Sequence, residues 1–112
     1  MYAYEFADEN APALFPVPNF PMGAFHAAEL QYLFPLGTAL SEPQQRLSAQ
    51  MVGYWTAFAH TSRPTTAGGP AWPRFQPSSV AVLSLAPGPA GIHPVNLAAE
   101  HQCRFWATFV ND

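Results

Sequence analysis

Residues Gly23-Ala24-Phe25-His26-Ala27-Ala28-Glu29-Leu30-Gln31-Tyr32-Leu33-Phe34 place a histidine on a loop immediately before a short helical pattern. Leu30, Leu33 and Phe34 recur at i, i+3 and i+4, a spacing that puts them on one face of a helix. Gly23 precedes the histidine and lets backbone or ligand approach closely. His26 therefore stands at the helix entrance, where a loop can present it to a cleft while the helix is anchored below.

Working outward, residues 1–6 read as a strand, with Tyr2, Tyr4 and Phe6 alternating against Met1, Ala3 and Glu5. Its candidate partners lie far along the chain, so partner strands are expected to be missing. Residues 8–22 carry Asp8, Asn10, Pro12, Pro16, Pro18 and Pro21 and read as a long extended loop. After Phe34, Pro35 and Gly37 stop the short helix. Ser41 is a good N-cap, with Pro43 in the first turn and Gln44 completing a capping box. Leu47, Met51, Tyr54, Trp55 and Phe58 then form one apolar stripe, predicting a helix over 42–60. Gly53 within it marks close packing against another element.

Thr61 to Ser79 is a loop in which Trp72 is expected to serve as an anchor. Val80 to Leu85 reads as a strand, Pro87-Gly88-Pro89 as a turn, and Gly91 to Val95 as a return strand. Asn96 to Val110 is expected to be one helix, burying Cys103, Trp106, Ala107 and Val110.

Composition narrows the function classes. A chain of 112 residues fits one small domain. It has no lysine, and four arginines within a net charge of −3 offer no basic stripe, which disfavours nucleic-acid binding. No run approaches the roughly 18 apolar residues of a membrane span. The acidic N-terminus lacks the basic n-region of a signal peptide. The single cysteine, Cys103, cannot form a disulfide within the chain and fits a reducing compartment without establishing one. On an apolar helix face it is most simply a small buried hydrophobe. His101 and Cys103 diverge on a helix, and His60 and His93 are distant, so no metal site is expected. No cofactor is expected either.

Five segments in order, Tyr2-Ala-Tyr-Glu-Phe6, Gly23-Ala-Phe-His-Ala-Ala-Glu-Leu30, Tyr54-Trp55-Thr-Ala-Phe58-Ala59, Ala71-Trp72-Pro73 and Glu100-His-Gln-Cys-Arg-Phe-Trp106, together resemble the type-B carboxylesterases, the cholinesterase-like branch of the α/β-hydrolases. The resemblance implies an α/β fold, here the C-terminal fragment of an α/β-hydrolase domain spanning residues 1–112. It would hold one central-sheet strand, the catalytic-histidine loop, two main helices and a small peripheral hairpin. It also implies that His26 is the triad histidine of a carboxylic ester hydrolase. In such a triad a serine hydroxyl attacks the ester, the histidine shuttles its proton, and a Glu or Asp orients the imidazole.

The departures shape the expectation. No Gly-x-Ser-x-Gly elbow and no Gly-rich oxyanion segment occurs. Glu5, Asp8 and Glu9 follow the first strand and do not match the acid's motif, while Glu29 matches a structural position. Ser41, Ser48, Ser62, Ser78, Ser79 and Ser84 sit in cap, helix, loop or strand settings. The isolated chain is thus expected to be inactive, its partners being the missing N-terminal part of the fold and, in the complete enzyme, a small carboxylic ester. The alternative is a non-catalytic interaction module with a cholinesterase-like fold. A Gly-x-Ser-x-Gly segment in the same frame upstream of Met1 would favour the enzyme.

Overall fold

A computed structural model describes residues 1–78 and 81–110. Three strands form one mixed sheet in the order β1 (Tyr4–Phe6), β2 (Ala81–Leu85), β3 (Ile92–Asn96). β1 runs parallel to β2, with Tyr4 opposite Leu83 and Phe6 opposite Leu85. β2 and β3 are antiparallel, with Ser84 opposite His93. Within the described sheet β2 takes the middle position and is the strand that β1 pairs with. The expected strand start at Val80 lies outside the described residues. The turn between β2 and β3 needs its glycines. Gly88 has φ +103°, and a Cβ on Gly91 would stand 2.0 Å from the Ala86 carbonyl oxygen.

Helix α1 (Leu30–Leu33) follows the histidine loop, and α2 (Glu42–Thr61) is the long element of the chain. Gln44 Oε1 accepts from the Ser41 N–H at 2.9 Å, which seals the start of α2 as its sequence leads one to expect. The apolar stripe of α2 packs on the face of the sheet that carries Leu83 and Leu85. Leu47, Met51 and Tyr54 are buried there, Trp55 is half-buried, and Phe58 at the far end is exposed. Gly53 does mark a close approach, since a Cβ there would meet Thr66 Cγ2 at 3.0 Å. Trp72 pins its loop as expected: its indole N–H donates to the Ala3 carbonyl at 3.0 Å and its ring packs on Tyr54 and Trp55.

Two expectations fail for physical reasons. Of the face Leu30, Leu33 and Phe34 expected on α1, only Leu33 packs against the core. Ala28, Gln31 and Tyr32 are buried instead, while Leu30 and Phe34 are exposed. That set has the same i, i+3, i+4 spacing, and polar bonds decide between the two phases. Gln31 Nε2 donates to the Pro12 and Ala28 carbonyls at 2.8 and 3.0 Å, and the Tyr32 hydroxyl donates to Asp8.

The predicted second main helix, Asn96 to Val110, is two short ones, α3 (Leu97–Glu100) and α4 (Cys103–Ala107). Gln102 between them has φ +51°, and the adjacent His101 imidazole is held by the Glu5 carboxylate. Cys103, Trp106, Ala107 and Val110 are all exposed, so the buried face expected there is absent and Cys103 is not a core hydrophobe. The chain is correspondingly open, with a radius of gyration of 15.5 Å, against about 13 Å for a compact domain of this length.

Candidate active site

His26 lies at the tip of a four-residue turn. The Ala28 N–H donates to the Phe25 carbonyl at 3.1 Å, and Ala27, third in the turn, has φ +68°. A positive φ at that position belongs to a type II turn, which usually places Gly there. Holding alanine in this region costs roughly 1–2 kcal/mol, so the surroundings must over-determine the turn. Ala28 supplies that constraint: it is fully buried in the core, and the next N–H groups feed directly into α1. Ahead of the histidine, Gly23 also takes a positive φ of +58°. His26 is exposed, whereas Phe25 before it packs partly on the core and against Phe15, ring centroids 5.5 Å apart.

Directly beneath this turn lies a polar network that the sequence reading passed over. Asp8, leaving β1, is buried. Its Oδ2 accepts from the Tyr32 hydroxyl and from Gln44 Nε2, the latter at 2.9 Å, and its Oδ1 accepts from the Asn10 N–H at 2.9 Å. Gln44 Nε2 also donates to the Asn10 carbonyl at 3.1 Å. A buried carboxylate is costly unless its lone pairs are filled, and here three donors from three segments fill them. Burial raises the Tyr32 hydroxyl far above its ordinary value, and the bond to Asp8 and that carboxylate's charge add to the rise. The network locks the exit of β1, the first turn of α2 and α1 together, and thereby fixes the height of the histidine turn. Asp8 is committed to this structural role. Glu29 takes the N-cap position of α1, with no side-chain cap bond.

Among the described residues, no serine hydroxyl and no carboxylate hydrogen-bonds to the His26 imidazole. Serine, histidine and carboxylate do meet elsewhere. Glu5, Ser84 and His93 form a row across the three strands, and the His101 imidazole contacts the Glu5 carboxylate. All four border a cavity of about 420 Å³. That row cannot act as a nucleophile site, because Ser84 is mid-strand in β2, between ladders on both sides. An acyl-transfer nucleophile needs free N–H donors beside it for the developing oxyanion. Nothing in the sequence brings Glu5 and His101 together, since 96 positions separate them.

A model of the carboxylesterase family matches residues 1–106. Among curated proteins, the chain is 34% identical to acetylcholinesterase of Bungarus fasciatus over 98% of its own length and 18% of that protein. It is 40% identical to bile salt-activated lipase of Mus musculus over 62% of the chain and 12% of that protein. It is also 36% identical to carboxylesterase 4A of Bos taurus over 67% of the chain and 14% of that protein. The chain thus spans less than a fifth of the length of these relatives.

Proposed function

The chain belongs to the carboxylesterase family, and from that premise we propose that residues 1–112 are the C-terminal segment of a carboxylic ester hydrolase whose triad histidine is His26. The observation that carries this reading is the presentation of that one side chain. His26 is exposed at the tip of a strained turn, with the buried Ala28 two residues on and the Asp8–Tyr32–Gln44 network below. A general base must be held in one place while its ring stays open to substrate, and this arrangement does both.

In the reaction, an imidazole nitrogen of His26 takes the proton of a serine hydroxyl as that oxygen attacks the ester carbon. The imidazolium then returns the proton to the departing alcohol, and a carboxylate on the opposite ring nitrogen stabilises the charge in between. Serine, carboxylate and oxyanion donors come from the rest of the hydrolase domain. Two features support a larger domain around this segment. One edge of β1 has no partner strand among the described residues, and Phe105, Trp106 and Phe109 stack on one another while remaining exposed.

Two assays test the reading. In a complete enzyme carrying this segment, His26→Ala lowers kcat by about 10³-fold or more, as triad deletions do; an unchanged kcat removes His26 from the mechanism. The isolated chain, given a short-chain nitrophenyl ester, matches buffer. Saturable turnover by the isolated chain that disappears on His26→Ala would overturn its assignment as one part of a divided site.

A further inference from the structure

The cavity of about 420 Å³ lies on the face of the sheet opposite the one that α2 covers, with Glu5, Glu9, Ser84, His93, Glu100 and His101 in its walls. Alternation along β2 places its floor. Leu83 and Leu85 are buried toward α2, so Ser84 between them turns the other way. Ser84 is only 5% exposed, yet its hydroxyl has no hydrogen-bond partner among the described residues. Buried polar side chains are nearly always bonded, and the partner that Ser84 lacks has to come from the cavity that it lines.

The side chains around Ser84 are acceptors. Glu5 stands opposite it on one neighbouring strand and His93 on the other. His93 Nδ1 lies 3.0 Å from the Ala90 carbonyl, which only accepts, so Nδ1 carries the hydrogen and Nε2 of the neutral ring is an acceptor. The His101 Nε2–H is donated to one Glu5 oxygen, which leaves the second oxygen open. Glu9 and Glu100 are exposed at the rim and have no cationic partner among the described residues. No lysine or arginine lines the cavity. Acceptors set around three carboxylates select a ligand that brings donors and positive charge. Among the described residues no three His, Cys, Asp or Glu side chains are grouped to hold a metal ion, so the fitting cation is organic. The volume lies within the range of small-molecule sites. We propose that this cavity binds a small organic cation with several N–H donors, an alkylguanidinium, whose head donates to the Ser84 hydroxyl and to Glu5 while Glu9 and Glu100 flank it. The proposal concerns binding and does not depend on the role of His26, which does not line the cavity.

The test uses the complete hydrolase that carries this segment. Ethylguanidinium is titrated into it by isothermal calorimetry at constant ionic strength, and saturable binding is expected. Tetramethylammonium has the same charge and no N–H, and should bind about tenfold more weakly. Ser84→Ala should raise the ethylguanidinium Kd about tenfold. Glu100→Gln, at the solvated rim, should raise it about fivefold. Neither variant should lower the melting temperature of the free protein, because the Ser84 hydroxyl has no partner to lose and Glu100 is exposed. Equal affinity for the two cations, an unchanged Kd in either variant, or heat that never saturates would each overturn the proposal. A lower melting temperature of ligand-free Ser84→Ala would overturn it too, since the hydroxyl would then already be bonded by the remaining domain.

Discussion

The Tyr32 hydroxyl donates to Asp8 Oδ2 across 24 positions of sequence, in the buried space between the exit of β1 and α1. The bond joins a phenol that burial keeps protonated to a carboxylate that also receives Gln44 and the Asn10 backbone. It decides which face of α1 turns inward. Through Ala28, one turn of helix earlier, it also decides where His26 points.

Removing this hydroxyl should therefore be expensive for its size. Tyr32→Phe keeps the ring, which packs on Phe6 at 4.9 Å, and deletes one bond to a carboxylate. A bond to a charged group contributes about 1.5–3 kcal/mol, and a loss in that range is expected from urea denaturation. Asp8→Ala strands three donors at once and should cost more, about 3–5 kcal/mol, in line with breaking a buried charged network. A Tyr32→Phe variant as stable as the parent would show that the network is idle.

The same pair contributes to the alkaline limit of the fold, alongside Tyr4 and Tyr54, whose hydroxyl pKa burial also raises. The folded-state pKa of Tyr32 is raised above its ordinary 10.0, so above that pH the native state holds a proton that the unfolded state releases. Its contribution is fully present below pH 10 and is lost as the pH climbs beyond it. Denaturant midpoints measured from pH 8 to pH 11.5 should fall at the upper end, and Tyr32→Phe should flatten that fall while lowering the plateau. The same slope in both would move the alkaline loss to other groups.

Much of this architecture was legible in the sequence wherever apolar period and cap chemistry agree. Ser41, Pro43 and Gln44 announce α2, and Leu47, Met51 and Tyr54 announce the side that it buries. Two kinds of information were hidden. The phase of α1 depends on partners at Asp8 and Pro12, because Leu30-Leu33-Phe34 and Ala28-Gln31-Tyr32 have identical spacing and polarity alone favours the wrong one. The break at Gln102 depends on a left-handed residue and a long-range contact between Glu5 and His101, neither of which leaves a local signal. The proposal of His26 as the site residue comes from five matching segments; the geometry of its turn could not have come from them, since alanine at position 27 gives no hint of a positive φ.

Trp72 should behave as a keystone of the loop that it anchors. Trp72→Ala removes a ring in contact with Tyr2, Tyr4, Tyr54 and Trp55, and a loss of about 3–5 kcal/mol is expected. Trp72→Phe keeps a ring but abandons the bond to the Ala3 carbonyl, which still accepts from the Leu83 N–H at 3.0 Å, so a smaller loss of about 1 kcal/mol is expected from that one bond. Urea denaturation of both variants checks the two losses, and a Trp72→Phe variant as unstable as Trp72→Ala would show that the bond to Ala3, rather than the ring, holds the loop.

The strain at Ala27 gives a test of how the turn serves His26. Glycine takes φ +68° without the Cβ clash, which relieves about 1 kcal/mol. The greater freedom of the unfolded chain takes back about 0.4–1 kcal/mol. Ala27→Gly should therefore change thermal stability little. Ala27→Val adds a β-branched side chain where even alanine is strained, and should cost more than 1 kcal/mol or flip the turn. In a complete enzyme the two variants should also separate kinetically. Ala27→Gly loosens the turn without redirecting it and should leave kcat within a few-fold of the parent. A flipped turn aims the imidazole elsewhere, and misplacement by about 1 Å costs on the order of 10²-fold. Loss of kcat in Ala27→Val with KM held, measured well below its melting temperature, is the result expected if the turn positions His26. Full kcat in a variant that is merely less stable would reduce Ala27 to a residue of the fold.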